Sequence, residues 1–233
     1  MPSYYTPDLS TSSSVVILEC EEFHHLSHVK RIEVGDSITL NNGKGIIAEG
    51  RISELNKRSA RIEVLSSQFH EPPAKQFAIA FALLKNKHDE LIIEKCTELG
   101  ASTFFPLVSE YSVRVPSNNT NQRFERIALA AIKQCDNPYL PSIHPSLPLE
   151  QVIVAIQDSG FAPILCSERR PDVWLKDIQL GASPCFLIGP EGGWKESEYE
   201  LFAKHHIPDI NISHLILRAE TAAIAIAAQF VAL

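Results

Sequence analysis

The sequence predicts a mixed α/β protein in which a small barrel-like β-domain precedes an α/β domain built on a parallel sheet. Three observations predict it. The first 70 residues hold short runs rich in β-branched residues between turn signals. Glu71-Pro72-Pro73, a stiff stretch suited to a linker, comes next. From residue 76 onward, apolar strand-like runs alternate with segments of helical periodicity. The expected domains are therefore 1–71 and 72–233.

Taken in order, Val15–Leu18, Ser37–Leu40, Ile46–Ile52 and Ala60–Leu65 are the strands of the β-domain, with turns at Gly35-Asp36 and Asn41-Asn42-Gly43-Lys44-Gly45. Arg61-Ile62-Glu63-Val64 alternates polar and apolar, as a half-buried strand must. A short helix is expected near Glu21–Val29. In the second part Phe77–Leu84 is continuously apolar, the mark of a strand covered on both faces. Asp89–Leu99 places Leu91, Ile92, Lys95, Cys96 and Leu99 at helical spacing and stops at Gly100, a good residue to follow a helix. Thr103–Leu107 returns to strand. Asn121–Gln134 is an amphipathic helix with Phe124, Ile127, Ala128, Ala131 and Ile132 on its apolar side. Strands follow at Ala162–Cys166, Pro184–Ile188 and Asp209–Ile212, with helices near Pro148–Ile156 and Lys195–His205. The last helix, Ala219–Val231, is rich in alanine on every face, which suits it to burial in the domain or at a subunit interface.

Composition narrows the class. A hydrophobic fraction of 45% with 21% charged residues fits a folded chain and excludes a disordered one. A globule of this size buries about 70% of its unfolded surface, so it needs neither disulfides nor metal to hold it. Five cysteines without a CxxC pair argue against a disulfide scaffold or zinc ribbon and for a reducing compartment. The longest apolar run, Phe77–Leu84, is far short of the roughly 20 residues that span a bilayer. No Lys or Arg precedes Lys30, and Val15–Leu18 is too short for a signal-peptide core, so the chain reads as cytoplasmic. The net charge of −7 is unevenly spread: residues 72–135 hold 8 basic and 6 acidic side chains, residues 136–233 hold 6 and 12. A local basic face can bind phosphate despite an acidic total, because screening over about 10 Å makes local charge count most.

The most informative segment is Cys185-Phe186-Leu187-Ile188-Gly189-Pro190-Glu191-Gly192-Gly193-Trp194. A buried strand runs into three glycines ahead of a helix whose first turn holds Glu196 and Glu198. Such a turn either admits a ligand to the backbone at a sheet's C-terminal edge or is simply tight. It matches neither GxGxxG nor a P-loop, which disfavours an oxidoreductase or an NTPase. In Leu215-Ile216-Leu217-Arg218-Ala219-Glu220-Thr221-Ala222, Arg218 sits between Leu217 and Ala219 at the start of the last helix, so its charge must meet a partner or a substrate phosphate. Pattern alone favours an Arg218–Glu220 network capping that helix. His24 and His28 have the spacing of a metal pair, but no Cys or carboxylate set completes it, and no metal is expected. No GxSxG or Cys–His nucleophile signature is present. Lys85, Lys87, Arg114, Arg123, Arg126 and Lys133 are either a phosphate-binding face or ordinary solvated charge.

Five segments in order carry a family resemblance. They are His25-Leu26 through Val29-Lys30-Arg31 with Gly35-Asp36 and Asn42-Gly43; Lys85–Gly100 with Glu90, Lys95 and Glu98-Leu99-Gly100; Ala131–Cys135; Ile188–Gly193; and Leu217–Ala222. Together they resemble the RsmE family, bacterial methyltransferases of the SPOUT class that modify N3 of a uridine in small-subunit (16S) ribosomal RNA. The resemblance implies a PUA-like RNA-binding β-barrel domain and a SPOUT α/β domain with a deep trefoil knot. It also implies a homodimer that uses S-adenosyl-L-methionine. The cofactor loops then map to Leu165, Cys166 and Ser167; to Gly189, Pro190, Glu191, Gly192 and Gly193; and to Ile212, Ser213, Leu215, Ile216 and Leu217. Arg218 becomes the candidate for stabilising the anion developing on the base, with Glu220 as proton acceptor or as the group orienting Arg218. His25, Lys30, Arg31, Lys44, Lys85, Lys87 and Lys133 would grip RNA. The chain departs from the family where Asp136-Asn137-Pro138-Tyr139 replaces two common cations, and at Lys30, Ser213 and Leu215.

Overall fold

The computed structural model describes residues 3–29, 32–169, 171–180 and 183–233. The chain divides into two compact units, residues 1–73 with 129–140, and residues 74–128 with 141–233.

The first unit is a curled five-stranded sheet, half of a barrel. It contains β1 (Tyr4–Tyr5), β2 (Val15–Glu19), α1 (Cys20–Val29), β3 (Ser37–Asn41), β4 (Ile46–Leu55) and β5 (Ser59–Phe69), with strand order β1-β3-β4-β5-β2. The alternation read at Arg61–Val64 is real: Ile62 is buried while Arg61 and Glu63 face solvent. Leu18, Leu26, Leu40, Ile52 and Ile62 form the centre of this unit's core. The β3–β4 turn is held from within. Asn42 Oδ1 accepts from the backbone N–H groups of Lys44 (2.7 Å) and Ile46 (2.9 Å), and Asn41 Oδ1 from that of Gly43 (2.8 Å). The segment 136–139 belongs to this unit. Asn41 Nδ2 donates to Asn137 O at 2.8 Å, and the Tyr139 hydroxyl donates to His70 O at 2.6 Å. Gly45 must be glycine, because its φ is +100° and a Cβ there would lie 2.5 Å from the Tyr139 hydroxyl.

The second unit alternates strand and helix as its periodicity predicts. Its elements are β6 (Ala78–Ala82), α2 (His88–Glu98), β7 (Thr103–Val108), the first part of α3 (Thr120–Cys135, which passes into the first unit from Leu129), β8 (Ser142–Ile143), β9 (Leu147–Pro148), α4 (Leu149–Asp158), β10 (Ala162–Cys166), β11 (Pro184–Ile188), α5 (Glu196–Lys204), β12 (Asp209–Ile210) and α6 (Ala219–Val231). All pairings in this seven-stranded sheet are parallel, in the order β12-β10-β11-β6-β7-β8, with β9 also on β7. Every residue of β6 and β11 is buried, which explains their unbroken apolar sequences. Phe230 of α6 stacks near Phe77 and Phe186, with ring centroids 5.1 and 5.9 Å away, and thereby docks the last helix on the sheet. The chain runs outward from β6 towards β7 on one side and from β11 towards β12 on the other. The crevice at that reversal, beyond the strands' C-terminal ends, is where open α/β sheets hold ligands. Among the described residues no helix is long and apolar enough to cross a membrane.

Candidate active site

Four loops converge at that crevice. They follow β6 (Lys85–His88), β10 (Cys166–Glu168), β11 (Ile188–Gly193) and β12 (Asn211–Leu217), and they enclose a cavity of about 610 Å³ that extends to Arg218, Ala219, Glu220 and Ala222 at the start of α6. That volume lies within the roughly 300–1,000 Å³ typical of small-molecule sites.

Each loop has a local reason for its shape. After β6 the chain makes one 3-10 turn with Asn86 (φ 53°) and Lys87 (φ 65°) both left-handed, then enters α2 at His88. The Lys85 N–H donates to Glu191 Oε1 at 3.1 Å, joining this turn to the glycine loop. After β10, the Ser167 hydroxyl and N–H donate to the two carboxylate oxygens of Asp209, at 2.6 and 3.2 Å. Burial raises the Asp209 carboxyl above its ordinary range, and these hydrogen bonds oppose the rise. After β11, the glycines are required by space or by backbone conformation. A Cβ on Gly189 would lie 2.9 Å from the Trp194 indole, and one on Gly193 (φ +71°) 2.5 Å from Glu168 Oε1. Glu168 is an exposed side chain whose carboxylate accepts from the Tyr199 hydroxyl at 3.1 Å, so Gly193 is required chiefly by its left-handed φ. After β12, the Ser213 N–H donates to Asn211 Oδ1 and the Leu215 N–H to Ser213 Oγ. Leu215 and Ile216 remain exposed, at 74% and 73%.

Arg218 is the N-cap residue of α6 and its side chain is exposed. The Arg218–Glu220 pair expected from the sequence does not form. Glu220 instead meets His88, whose Nδ1 lies 3.2 Å from Glu220 Oε1. The reason is helical direction: Glu220 lies on the buried side of α6, against α2, while Arg218 projects from the helix start. Glu220 Oε2 is buried without a hydrogen-bond partner, an acceptor left for whatever enters the cavity. The Cys166 thiol also borders it, but burial pushes its pKa far up, so it stays protonated.

The cofactor loops named from the sequence thus come together. Cys166, Ser167, Gly189, Pro190, Glu191, Gly192, Gly193, Ile212, Ser213, Leu215, Ile216 and Leu217 all line the cavity, as do Arg218, Glu220 and Lys85. Leu165 does not; at 1% exposure it belongs to the hydrophobic core. Asn86, His88, Glu168 and Asn211 line it too, and sequence reasoning had not singled them out. The left-handed Asn86 carried a weak signal, since Asn adopts that conformation more readily than most residues; His88 carried none. Of the other cations, Lys87 and Lys44 are exposed, with Lys44 Nζ donating to Pro7 O at 3.2 Å. Lys133 is engaged with Glu22 at 2.6 Å. His25 is half-buried, its ring edge-on to Tyr4 at 6.1 Å. Lys30 and Arg31 lie outside the described residues.

A family model described as an RNA methyltransferase domain matches residues 70–231, and one described as an RNA methyltransferase PUA domain matches residues 18–65. The ribosomal RNA small subunit methyltransferase E of Synechocystis sp. is 31% identical over 94% of this chain and 74% of its own length. The protein of that name from Bacillus subtilis is 27% identical over 87% of this chain and 84% of its own. Among solved structures, the ribosomal RNA small subunit methyltransferase E of Neisseria gonorrhoeae bound to S-adenosyl methionine superposes with a TM-score of 0.88. It is 25% identical and the match covers 99% of this chain and 96% of that one. On the sheet order, the four-loop crevice and these matches along nearly its whole length, the chain belongs to the RsmE family of RNA methyltransferases.

Proposed function

We propose that the protein methylates N3 of a uridine in 16S ribosomal RNA, using S-adenosyl-L-methionine bound in the four-loop cavity. The observation that carries this reading is the cavity itself: glycines without room for a Cβ, backbone groups at the sheet's C-terminal edge, and one exposed arginine beside them. The cavity suits that cofactor. Gly189–Gly193 leave the backbone open to adenine and ribose, and Glu168, Glu191 and the unpartnered Glu220 Oε2 offer acceptors to a ligand bearing positive charge. The relative from Neisseria gonorrhoeae binds the same molecule. When bound, the cofactor supplies an electrophilic methyl group on a sulfonium. The chain's own residues supply positioning and charge: the loops fix the cofactor, the walls exclude water, and Arg218 stabilises the negative charge that develops on the base as N3 loses its proton.

The β-domain, 1–71, holds the RNA while 72–233 carries the reaction. Lys44, Lys85 and Lys87, all exposed, are assigned to the phosphate backbone together with Lys30, Arg31, Lys133 and His25. N3 is hidden in a paired stack, so the target is single-stranded or flipped out. The small subunit is the substrate, in the cytoplasm. The enzyme works as a homodimer with the knotted SPOUT topology of its class, and exposed Leu215 and Ile216 beside Arg218 provide apolar surface for that association.

The test is incubation with small subunits from a strain lacking the modification, followed by mass analysis of the nucleosides. 3-Methyluridine at one site supports the reading. A methyl group on another nucleoside, or none, contradicts it.

A further inference from the structure

The proposed reaction needs a proton acceptor at N3, and Arg218 cannot be one because guanidinium does not give up its proton in proteins. The cavity offers a short choice. Cys166 is held protonated by burial. Glu191 and Glu168 each accept one hydrogen bond at Oε1, from the Lys85 N–H and the Tyr199 hydroxyl, and their second oxygens are the acceptors offered to the positively charged cofactor. Lysine ammoniums only donate.

His88 differs from all of these. It lines the cavity, its side chain is 35% exposed, and its Nδ1 lies 3.2 Å from Glu220 Oε1, whose own side chain is 10% exposed. A carboxylate 3.2 Å from Nδ1 favours the hydrogen on that nitrogen and the lone pair on Nε2, the arrangement by which an imidazole is made ready as a base. The backbone supports the placement. Asn86 and Lys87, two consecutive non-glycine residues with positive φ, turn the chain so that α2 begins at His88 on the cavity's rim. Strain of this kind, roughly 1–3 kcal/mol per residue, persists where surrounding structure imposes it and clusters at functional sites.

We infer that His88 is the general base of the reaction, accepting the N3 proton on Nε2, and that Glu220 is its positioning residue. The inference rests on the methyltransferase reading. The N3–H proton passes to Nε2 of His88, and the N3 lone pair forms the new N–CH3 bond. The electron pair of the broken S–CH3 bond stays on sulfur. Uridine becomes 3-methyluridine, the sulfonium becomes a neutral thioether, and the imidazolium stands against Glu220 until its exposed edge returns the proton to solvent. The charged groups around His88 are Glu220, 3.2 Å from its Nδ1, Arg218, Lys85 and Glu191, which line the same cavity, and its chain neighbours Lys87 and Asp89, the latter paired with Arg114.

Single-turnover methylation of unmodified small subunits, followed across pH for wild type and His88→Gln, tests the assignment. Calorimetric titration with S-adenosylhomocysteine checks that the cavity is intact. The expected result is a rate about 10²-fold or more lower in His88→Gln near neutral pH, the usual worth of a general base, with ligand affinity within about threefold of wild type. The wild-type profile levels off with rising pH, whereas the variant's residual rate keeps climbing because only substrate already deprotonated in solution reacts. Independently of activity, 15N spectra of the cofactor-free protein show the neutral imidazole with its hydrogen on Nδ1, and Glu220→Gln returns it to a mixture of tautomers. An unchanged rate and profile in His88→Gln, or a tautomer indifferent to Glu220→Gln, overturns the assignment. Absence of 3-methyluridine from the wild-type reaction overturns the methyltransferase reading, and this inference with it.

Discussion

Gly189 sits where backbone must pass the Trp194 indole, so its missing side chain is a packing requirement. Gly189→Ala should force the buried indole aside. Overpacking of that kind costs about 1–3 kcal/mol. We expect a lower melting temperature together with affinity for S-adenosylhomocysteine weakened about tenfold or more, read by thermal melting and calorimetry; a variant unchanged in both would contradict the packing account. The glycines and Arg218 stood out in the sequence because a glycine cluster after an apolar run, and a charge between hydrophobic residues, are local anomalies, but their assignment to a cofactor and catalytic site came from the family resemblance. His88 was not legible. Its role comes from a contact with Glu220, far along the chain, and from two left-handed residues that no local pattern announced. The departure at 136–139 from the family's usual cations has a visible structural counterpart, since Asn137 and Tyr139 hydrogen-bond to Asn41 and His70.

The helices and the buried strands of the second unit were read to within about two residues, because burial writes a periodicity into them. By contrast, β4 and β5 run on to Leu55 and Phe69, past the ends read at Ile52 and Leu65, where their exposed polar residues carry no such pattern. The two-residue strands β1, β8 and β9 had no such signature. β12 stops at Ile210, earlier than its apolar residues suggested, because the chain beyond turns out to wall the cavity. Asp209 in β12 holds the loop after β10 through both hydrogen bonds from Ser167. Burial raises its pKa in the fold, so the native state binds that proton more tightly than the unfolded chain does. The resulting stabilisation is complete below the ordinary carboxylate range and is lost as pH rises through the raised native value. Buried Asp89 acts in the same sense, its carboxyl raised chiefly by burial and partly restrained by Arg114. In Asp209→Asn the fall in melting temperature from about pH 4 towards neutrality should therefore be shallower than in wild type. Parallel curves would contradict this assignment.

Across the whole molecule, the chain returns to the first compact unit at residues 129–140. Composition marks a linker at Glu71-Pro72-Pro73 but nothing local marks that return, which depends on contacts such as Lys133 with Glu22 and the Ser3 N–H with Lys133 O. A fragment ending at Pro73 lacks these partners. It should lose cooperative thermal unfolding, as followed by circular dichroism, whereas a cooperative transition like that of the intact chain would show the returning segment to be dispensable. The central claim concerns the other unit: the four-loop cavity holds S-adenosyl-L-methionine. Calorimetric titration of the intact protein with S-adenosylhomocysteine, beside Gly192→Arg, tests it most directly. A Cβ at Gly192 already approaches Tyr111 Cβ to 3.3 Å, so an arginine there must displace Tyr111 or enter the cavity. Saturable binding at one site per chain in the wild type, abolished in Gly192→Arg, is the predicted result. Binding that survives in the variant would place the ligand elsewhere, and no binding by the wild type would contradict the account.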